Sequence, residues 1–401
     1  MKPAKAYFNV LILRLNMYLK RAVLNTYPVI AYVDPSSYCQ LRCPGCPTGL
    51  KLGLRSAHLL DSELYKRLLD EIGDYLFLIE LYNWGEPLLN KKTPEFIRYA
   101  KSKDIKVCLH TNMSIKLTDE YIQDLVKSGL DQLIVSADGA TQETYEKYRR
   151  GGDLLLVRNN MARIKAEKIA LGTNTPEIIW KFLVFKHNEH EIASVRTIFK
   201  DWGADRLILS KPIMDFNMLE DGFAFSSIPE YSNAVSPSKT AMKAGHKRRL
   251  NRCTFLFEAL TLNPDGSVSP CCGTVDEDDD FAKYSPTDGF FSAWNSDKFQ
   301  TARSLFSKSQ VLCGRQDKSS NGMVNACQRC RAGYAHSILE QPENSFLKSL
   351  DERASYLVQK KDLHHLPDFL LQCILNCSTA IQEMPRLVGS CRTNCKFLNR
   401  H

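Results

Sequence analysis

Three closely spaced cysteines are the part of the sequence best suited to chemistry. Cys39, Cys43 and Cys46 are separated by three and then by two residues. Thiolates at this spacing can reach three corners of one inorganic cluster, and they select zinc or iron–sulfur centres. Structural sites of either kind usually take four ligands, so three cysteines after a predicted strand favour a cluster that leaves one iron open for chemistry. From spacing alone, a zinc knuckle completed by a distant residue is the alternative.

The composition is that of an ordinary globular protein. The chain has 401 residues, enough for two domains, with 44% hydrophobic and 24% charged residues. The net charge of +8 is spread along the chain and accompanies no nucleic-acid recognition motif, so no nucleic-acid partner is expected. The fourteen cysteines occur in groups, which favours metal ligation in a reducing cytoplasm over a secreted disulfide scaffold.

The first segment, residues 1–28, contains basic residues and no acidic residue. Its apolar residues recur at helical spacing, which predicts an amphipathic helix. Arg14 interrupts the apolar run too early for a membrane span of about 20 residues, and no small-residue cleavage site follows it. A helix packed on the domain is favoured, and a membrane-surface anchor is the alternative.

From residue 29 onwards, apolar runs alternate with helical patterns. Such alternation predicts parallel strands joined by crossover helices, and therefore an α/β fold with a partial (β/α)6 TIM-like barrel over residues 29–225. The predicted strands are residues 29–33, 75–81, 105–109, 132–135, 178–185 and 206–209. The predicted helices between them include residues 62–72, 94–102, 119–128 and 154–168.

Polar motifs follow the predicted strands at their carboxyl ends. The carboxyl ends of barrel strands lie at one face of a barrel, so these motifs are expected to form one site. In chain order they are the cysteine motif, residues 83–87, residues 110–112, residues 136–139 with 148–151, and residues 186–188.

The cysteine spacing and the order of these motifs resemble the radical S-adenosylmethionine (radical SAM) superfamily, whose cluster motif is Cys-x3-Cys-x2-Cys. One departure is Gly45, where the family usually has an aromatic residue. The resemblance implies a [4Fe–4S] cluster held by Cys39, Cys43 and Cys46, with an open iron that binds SAM. It further implies an electron donor such as flavodoxin or ferredoxin, and cleavage of SAM to a 5′-deoxyadenosyl radical that abstracts hydrogen from a substrate.

The resemblance also implies a set of residues that contact SAM. Gly85, Glu86 and Pro87 match the family's Gly-Gly-Glu-Pro turn, which holds the amino group, with Trp84 in place of the first glycine. Met113 stands where a glycine usually ends the family's Thr-Asn-Gly. In the family a serine and an arginine handle the carboxylate and the ribose of SAM. The further implied contacts are Asn112, Ser136, Asn188 and one of Arg149 and Arg150, between which the sequence does not choose.

A second group of cysteines predicts a closed site. Cys253 and Cys271 flank a predicted hairpin with a Pro-Asp-Gly turn, so they can meet at its open end. With Cys327 and Cys330, spaced as Cys-x2-Cys, they make four ligands, which is typical of a structural or electron-transfer site. A zinc ribbon is the alternative. The spare cysteines that could replace one of these four are Cys272 and Cys313.

Residues 226–336, which contain this site, resemble the SPASM/twitch region of radical SAM enzymes. His336 stands where the next cysteine of a complete SPASM region would fall, so the resemblance implies one auxiliary [4Fe–4S] cluster, the twitch arrangement. That arrangement resembles the radical SAM alcohol dehydrogenases that act on aminocyclitols, whose auxiliary cluster accepts an electron.

The tail, residues 337–401, has an amphipathic helical pattern and two Cys-x3-Cys pairs. Residues four apart share a helix face, so a third metal site is one interpretation and buried core thiols are the other, favoured one. The four cysteines concerned are Cys373, Cys377, Cys391 and Cys395. Cys108, within a predicted strand, is expected in the core.

The substrate is the least determined part of the prediction. Many SPASM proteins that mature peptides carry an extra N-terminal peptide-binding domain, whereas only 38 residues precede Cys39 here. The expectation is therefore oxidation or epimerisation of a small, sugar-like molecule. The alternatives are a ribosomal-peptide maturase that works with a separate recognition protein and a zinc-binding interaction protein without catalysis.

Overall fold

A nine-stranded sheet runs through the computed structural model, which describes residues 2–212, 223–232, 253–305 and 327. Six parallel strands lie side by side in chain order, and three further strands extend the sheet beyond the first of them. The strands are β1 (Ile30–Val33), β2 (Leu78–Leu81), β3 (Lys106–Thr111), β4 (Gln132–Ser136), β5 (Glu177–Leu183), β6 (Arg206–Ser210), β7 (Ala259–Leu262), β8 (Ser267–Ser269) and β9 (Ala282–Lys283).

Helices connect each parallel strand to the next, as the alternating pattern predicts. The prediction of an α/β fold with a partial (β/α)6 barrel is confirmed, and the predicted ends of most strands and helices lie within one to three residues of the observed ones. The helices are α1 (Ala4–Leu19), α2 (Ser62–Ile72), α3 (Thr93–Ser102), α4 (Asp119–Lys127), α5 (Gln142–Tyr148), α6 (Leu154–Ala170), α7 (Ile192–Ile198), α8 (Phe255–Glu258), α9 (Phe290–Trp294) and α10 (Asp297–Ser304).

The main hydrophobic core lies between the parallel strands and their crossover helices. Alternate strand residues such as Ile79, Leu81 and Leu109 are fully buried in it. Four of the crossover helices, α2, α4, α5 and α6, begin at a polar side chain that accepts a backbone N–H of the first turn. Asp61 does so for α2, for example, and Asp153 for α6. These caps fix where the segments that lead into those four helices end.

Helix α1 packs against the barrel. One face, which includes Tyr7, Val10 and Leu13, is buried in the main core. The ammonium group of Lys2 donates to the carbonyl oxygens of Gly73 and Lys103, 2.7 and 2.6 Å away, in loops that lead into β2 and β3. The predicted helix packed on the domain is confirmed, and the membrane-anchor alternative finds no support. Within the described part of the chain, no helix combines the length and the apolar character that a membrane span requires.

The C-terminal hairpin continues the barrel sheet. Strand β7 pairs in parallel with β1, and β8 and β9 follow it in antiparallel order. The sequence pattern of a hairpin begins at Phe255, but its first half is not a strand, since α8 forms a helical turn there. The turn places Glu258 against α1, where its carboxylate pairs with Arg14 and its carbonyl accepts the N–H of Val29. Pairing with β1 therefore begins only at Ala259.

Several predictions fall outside the described residues. They concern most of the linker at 213–250, the tail at 337–401 with its four cysteines, and Cys313, Cys330 and His336. The domain boundaries at 28/29, 225/226 and 336/337 stay predictions.

Candidate active site

The cysteine motif forms a tight loop after β1. The N–H of Cys46 donates to the carbonyl oxygen of Cys43 at 3.2 Å, and between them Gly45 has a φ of 85°, in the left-handed region. Cys43 is buried, and the half-buried Cys39 and Cys46 pack against the same small apolar cluster. An aromatic residue at position 45 would be strained in this conformation, which is a physical reason for the glycine found there.

Burial raises the pKa of two of these thiols. It raises the pKa of Cys39 to about 12, with the carboxylate of Glu86 adding to the effect. It raises the pKa of Cys43 to about 11, although the guanidinium of Arg149 opposes the increase. The thiols of Cys39 and Cys43 are therefore protonated at neutral pH, and a metal that binds them must displace their protons.

The donor set of this loop fits an iron–sulfur cluster. Three thiols share one apolar shell, and the separate irons of such a cluster each take one thiolate. Across the residues that the structure describes, no three His, Cys, Asp or Glu side chains converge as they would around a single metal ion. Cys39, Cys43 and Cys46 are the residues that would hold such a cluster.

The carboxylate of Glu86 connects the turn after β2 to the loop after β3. Its oxygens accept from Thr111 Oγ1 at 2.6 Å, Asn112 N at 2.8 Å and Leu88 N at 3.1 Å. Burial raises the pKa of Glu86 to about 7, and these hydrogen bonds oppose the increase. Asn112 Nδ2 in turn lies 3.5 Å from the sulfur of Cys39. A carboxylate can accept about four hydrogen bonds, so these three donors use most of its capacity.

Asp34, directly after β1, holds the turn from the other side. Its Oδ2 accepts the backbone N–H groups of Trp84 and Gly85, at 3.0 and 3.2 Å. Burial raises the pKa of Asp34 to about 6, although those backbone donors oppose the increase. A Cβ on Gly85 would lie 1.6 Å from the carbonyl oxygen of Ser36, so no other residue fits here without displacing the backbone. The turn after β2 is thereby fixed against the loop that leads to the cysteines.

The loop after β3 keeps the backbone geometry of the glycine it lacks. Met113 has a φ of 56°, in the left-handed region that glycine favours, and its side chain is fully buried. Asn112, just before it, also accepts from the side chain of Gln40 at 3.0 Å. The loop is therefore tied to the cysteine motif by side chains as well as by Glu86.

The structure distinguishes Arg149 from Arg150. The Nε of Arg149 donates to Asp138 Oδ2 at 2.6 Å, and its Nη1 lies 4.0 Å from the sulfur of Cys43. The guanidinium of Arg150 instead lies over the ring of Phe223, 6.0 Å from its centroid. Of the two guanidinium groups, that of Arg149 is the one beside a cysteine of the loop, whereas Arg150 meets the loop through its carbonyl oxygen, which accepts the N–H of Arg42 at 2.9 Å.

The remaining predicted SAM contacts differ in how exposed they are. Ser136 is the last residue of β4 and is half-buried. Asn188 is fully buried, and its side chain bonds to the backbone of Asp138, Leu183 and Phe185. Pro87 begins a 3-10 turn, and the carbonyl oxygen of Pro87 accepts a hydrogen bond from Thr93 Oγ1 at 2.7 Å. Asn188 and Pro87 thus shape the loops, while Ser136 lies at the strand end.

The described cysteines of the C-terminal region lie close to the barrel. Cys253 and Cys271 pack against one small cluster that contains Tyr32 and the buried Cys272. Cys327 packs, like Cys253, against the main core. Burial raises the pKa of Cys271. The ligand set with Cys330 stays a prediction.

Sequence reasoning missed two residues that hold the site together, Asp34 and Gln40. Asp34 was detectable as an acidic residue directly after a buried strand, before the cysteines. Gln40, within the cysteine motif itself, carries no sequence signal for its bond to Asn112.

Two family models match this chain, one in its N-terminal part and one in its C-terminal part. The model described as radical SAM superfamily matches residues 33–178. A second model, SPASM, described as an iron–sulfur cluster-binding domain, matches residues 253–331. A radical SAM domain implies a [4Fe–4S] cluster with SAM, and a SPASM domain implies auxiliary iron–sulfur clusters.

Curated relatives are similar over part of their length. An AdoMet-dependent heme synthase of Methanosarcina barkeri is 30% identical over 128 residues, which are 32% of this chain and 36% of the relative. A PqqA peptide cyclase of Granulibacter bethesdensis is 25% identical over 168 residues, 42% of this chain and 43% of the relative. The chain thus spans less than half of the length of these relatives.

A solved structure has the same fold. Streptococcus suis SuiB bound to its precursor peptide SuiA superposes with a TM-score of 0.54 at 13% identity, covering 82% of this chain and 76% of that one. At this identity the likeness concerns the fold alone. The two family models carry the assignment: residues 33–178 belong to the radical SAM superfamily, and residues 253–331 are a SPASM iron–sulfur cluster-binding domain.

Proposed function

We propose that this protein is a radical SAM enzyme that abstracts a hydrogen atom from a substrate bound inside the barrel. One observation carries the proposal. The thiol of Cys39, in the cysteine loop, lies 3.5 Å from Asn112 Nδ2, and Asn112 donates its backbone N–H to Glu86. A metal-binding loop and a candidate binding position for an ammonium group are therefore joined by direct hydrogen bonds.

Different residues of the chain would hold the cluster and orient SAM. Cys39, Cys43 and Cys46 would hold the cluster, which supplies the electron that cleaves SAM when both are bound. The carboxylate of Glu86 suits the ammonium group of SAM, and the guanidinium of Arg149 suits its carboxylate. The buried apolar cluster around Cys43 shields that thiol from water.

Anaerobic reconstitution followed by SAM and dithionite tests the proposal. Wild-type protein should hold about four irons at the cysteine loop and form 5′-deoxyadenosine. Cys43→Ala should lose both, while Cys108→Ala, a buried cysteine outside the loop, should keep both. Zinc in place of iron, without 5′-deoxyadenosine, would leave only the zinc-binding interaction protein.

For the substrate, a peptide is better supported than the small sugar-like molecule expected from the sequence. The PqqA peptide cyclases are named for a peptide substrate, and SuiB is bound to a precursor peptide. A small molecule stays the second candidate, and the heme synthase of Methanosarcina barkeri represents relatives of that kind.

Deuterium transfer distinguishes the two substrate classes without knowledge of the substrate. The reconstituted protein is given either the peptide fraction or the small-metabolite fraction of cells grown on deuterated medium. Abstraction from a substrate transfers deuterium into 5′-deoxyadenosine, which mass spectrometry detects. Deuterium from the peptide fraction supports a peptide maturase, whereas deuterium only from the small-metabolite fraction contradicts it.

A further inference from the structure

The inner face of the barrel carries a buried acid–imidazole pair that the SAM-contact residues do not include. Glu80 lies on β2 and His110 on β3. The Nε2 of His110 lies 3.0 Å from Oε2 of Glu80, with the two side chains 14% and 6% exposed. Buried polar groups need a hydrogen-bond partner, and each member of this pair supplies the partner of the other.

The pair lies on the face that a substrate would occupy. Side chains alternate along a strand, and Ile79 and Leu109, the preceding neighbours of Glu80 and His110, point into the core under the helices. Glu80 and His110 therefore point to the inside of the barrel. His110 also directly precedes Thr111 and Asn112, which join Glu86 and Cys39. The imidazole is thus next to the strand end at which SAM is proposed to bind.

Aromatic packing fixes the orientation of the imidazole. The ring of Tyr82 stacks on His110 with 3.8 Å between centroids and an interplanar angle of 19°. Tyr32 in turn meets Tyr82 edge to face at 6.2 Å. An ionised carboxylate only accepts hydrogen bonds, so Glu80 selects the tautomer with a proton on Nε2. Nδ1 is then the acceptor nitrogen.

Burial favours the neutral form of the imidazole. Burial lowers the pKa of His110 below 6.5. Glu80 opposes this decrease, and the ammonium group of Lys181 on β5 adds to it. Among the described residues, the phenol of Tyr82 also lies against the ring. A neutral imidazole oriented by a carboxylate can accept a proton, as in the serine-hydrolase arrangement.

We propose that His110, oriented by Glu80, binds and deprotonates a hydroxyl or amine group next to the carbon from which hydrogen is abstracted. The proposal rests on the proposed function. The substrate's O–H or N–H bond breaks, the proton forms an Nδ1–H bond on His110, and the carboxylate of Glu80 balances the imidazolium charge. The substrate class is therefore an alcohol or amine, which in a peptide is a side chain such as serine, threonine or lysine.

The first test needs no substrate. ¹⁵N spectra of histidine-labelled apo-protein report the tautomer and charge of each imidazole, and His110→Gln identifies the His110 signal by its loss. The expected result is a neutral ring protonated at Nε2 and a titration midpoint below 6.5. Glu80→Gln should lower that midpoint further, because it removes the opposing charge. A ring protonated at Nδ1, or charged at neutral pH, would overturn the proposal.

The second test uses the deuterated fraction that proves active in the reconstituted wild-type protein. His110→Gln and Glu80→Gln should leave uncoupled 5′-deoxyadenosine formation within about twofold, while deuterium transfer falls about 100-fold in His110→Gln. The acid limb of the wild-type pH–rate profile should disappear in the same variant. Gln132→Leu is the control, since Gln132 lies on the same sheet at the register level of Glu80 but bonds to Cys108 and Glu177 and not to His110.

The outcomes separate the two proposals. If His110→Gln lost deuterium transfer and uncoupled 5′-deoxyadenosine formation equally, His110 would act in SAM binding or in folding. If deuterium transfer were unchanged, His110 would have no role in turnover. Either result overturns the assignment while the proposed function stands. A wild-type protein that forms no 5′-deoxyadenosine overturns the proposed function itself.

Discussion

The indole Nε1 of Trp84 donates a hydrogen bond to the carbonyl oxygen of Thr274, 2.9 Å away. Trp84 belongs to the turn after β2 that is proposed to bind SAM. Thr274 follows the auxiliary cysteines, and its N–H donates to the carbonyl of Cys271 at 3.1 Å. The family usually has glycine at the position of Trp84, and glycine has no side-chain donor. In this chain, one side chain therefore joins the two cluster regions.

Trp84→Phe keeps an aromatic ring and removes the donor. We expect the free energy of unfolding of the apo-protein to fall by about 1 kcal/mol, because the carbonyl of Thr274 loses its partner. In the reconstituted protein, addition of SAM should shift the EPR signal of the reduced auxiliary cluster in the wild type and not in the variant.

Thr274→Ala is the matched control for this effect. The accepting oxygen belongs to the backbone, so this variant keeps the hydrogen bond and should keep the response to SAM. A response that survives in Trp84→Phe would show that the two regions communicate by another route.

The sequence predicts the barrel well because its signal is local. Strands buried on both faces are continuous apolar runs, and a run such as 132–135 coincides with β4 to within one residue. The polar residues after each strand converge because the carboxyl ends of parallel strands meet. Local patterns are therefore enough for the strand order and for the place of the site.

What the sequence does not predict depends on distant partners. The pairing of β7 with β1 joins segments more than 200 residues apart, and neither segment carries a signal for the other. Glu80 and His110 are each unremarkable within their own strand, and only the register of β2 and β3 brings them together. The helical turn at 255–258 follows from its packing on α1, which no local propensity encodes.

The buried carboxyl of Asp34 should make folding depend on pH. Its pKa rises from 3.8 to about 6 on folding, so between these values the native state holds a proton that the unfolded chain has released. Stability therefore falls as pH rises through this window, by about 3 kcal/mol in all. Asp34→Asn keeps an acceptor for the backbone N–H groups of Trp84 and Gly85. In urea titrations of the apo-protein, the free energy of unfolding of this variant should not show this decrease with pH.

Asp61 provides a control of opposite sign. It caps α2 at the surface, and its hydrogen bonds to the backbone lower its pKa, so its contribution to stability is lost as pH falls. Asp61→Asn should therefore remove a slope that rises with pH. If Asp34→Asn and the wild type had the same pH dependence, the raised pKa of Asp34 would be wrong.

The buried pair of Arg149 and Asp138 should behave as a unit. Arg149→Ala leaves the fully buried carboxylate of Asp138 without its countercharge, and we expect a loss of about 3–5 kcal/mol in the free energy of unfolding. Adding Asp138→Asn removes the stranded charge, so the double variant should recover at least about 1 kcal/mol of that loss. Urea denaturation of the apo-protein measures both.

An exposed pair gives the reference for these values. Arg98 and Asp124 lie 3.3 Å apart, with side chains 45% and 57% exposed. Arg98→Ala should cost less than about 1 kcal/mol, because water screens the pair. Losses in Arg149→Ala no larger than in Arg98→Ala would mean that Asp138 is protonated or reached by water.

The adjacent Cys271 and Cys272 should differ in what they do for the auxiliary cluster. Cys272 is buried in the cluster that contains Tyr32 and Phe255, whereas Cys271 lies at its edge, 3.9 Å from Thr274 Oγ1. Cys271→Ala should therefore reduce the iron of reconstituted protein from about eight to about four atoms per chain. Uncoupled 5′-deoxyadenosine formation should persist, because the loop of Cys43 is untouched. Cys272→Ala should retain the iron and lose only packing energy, and the reverse result would make Cys272 the ligand.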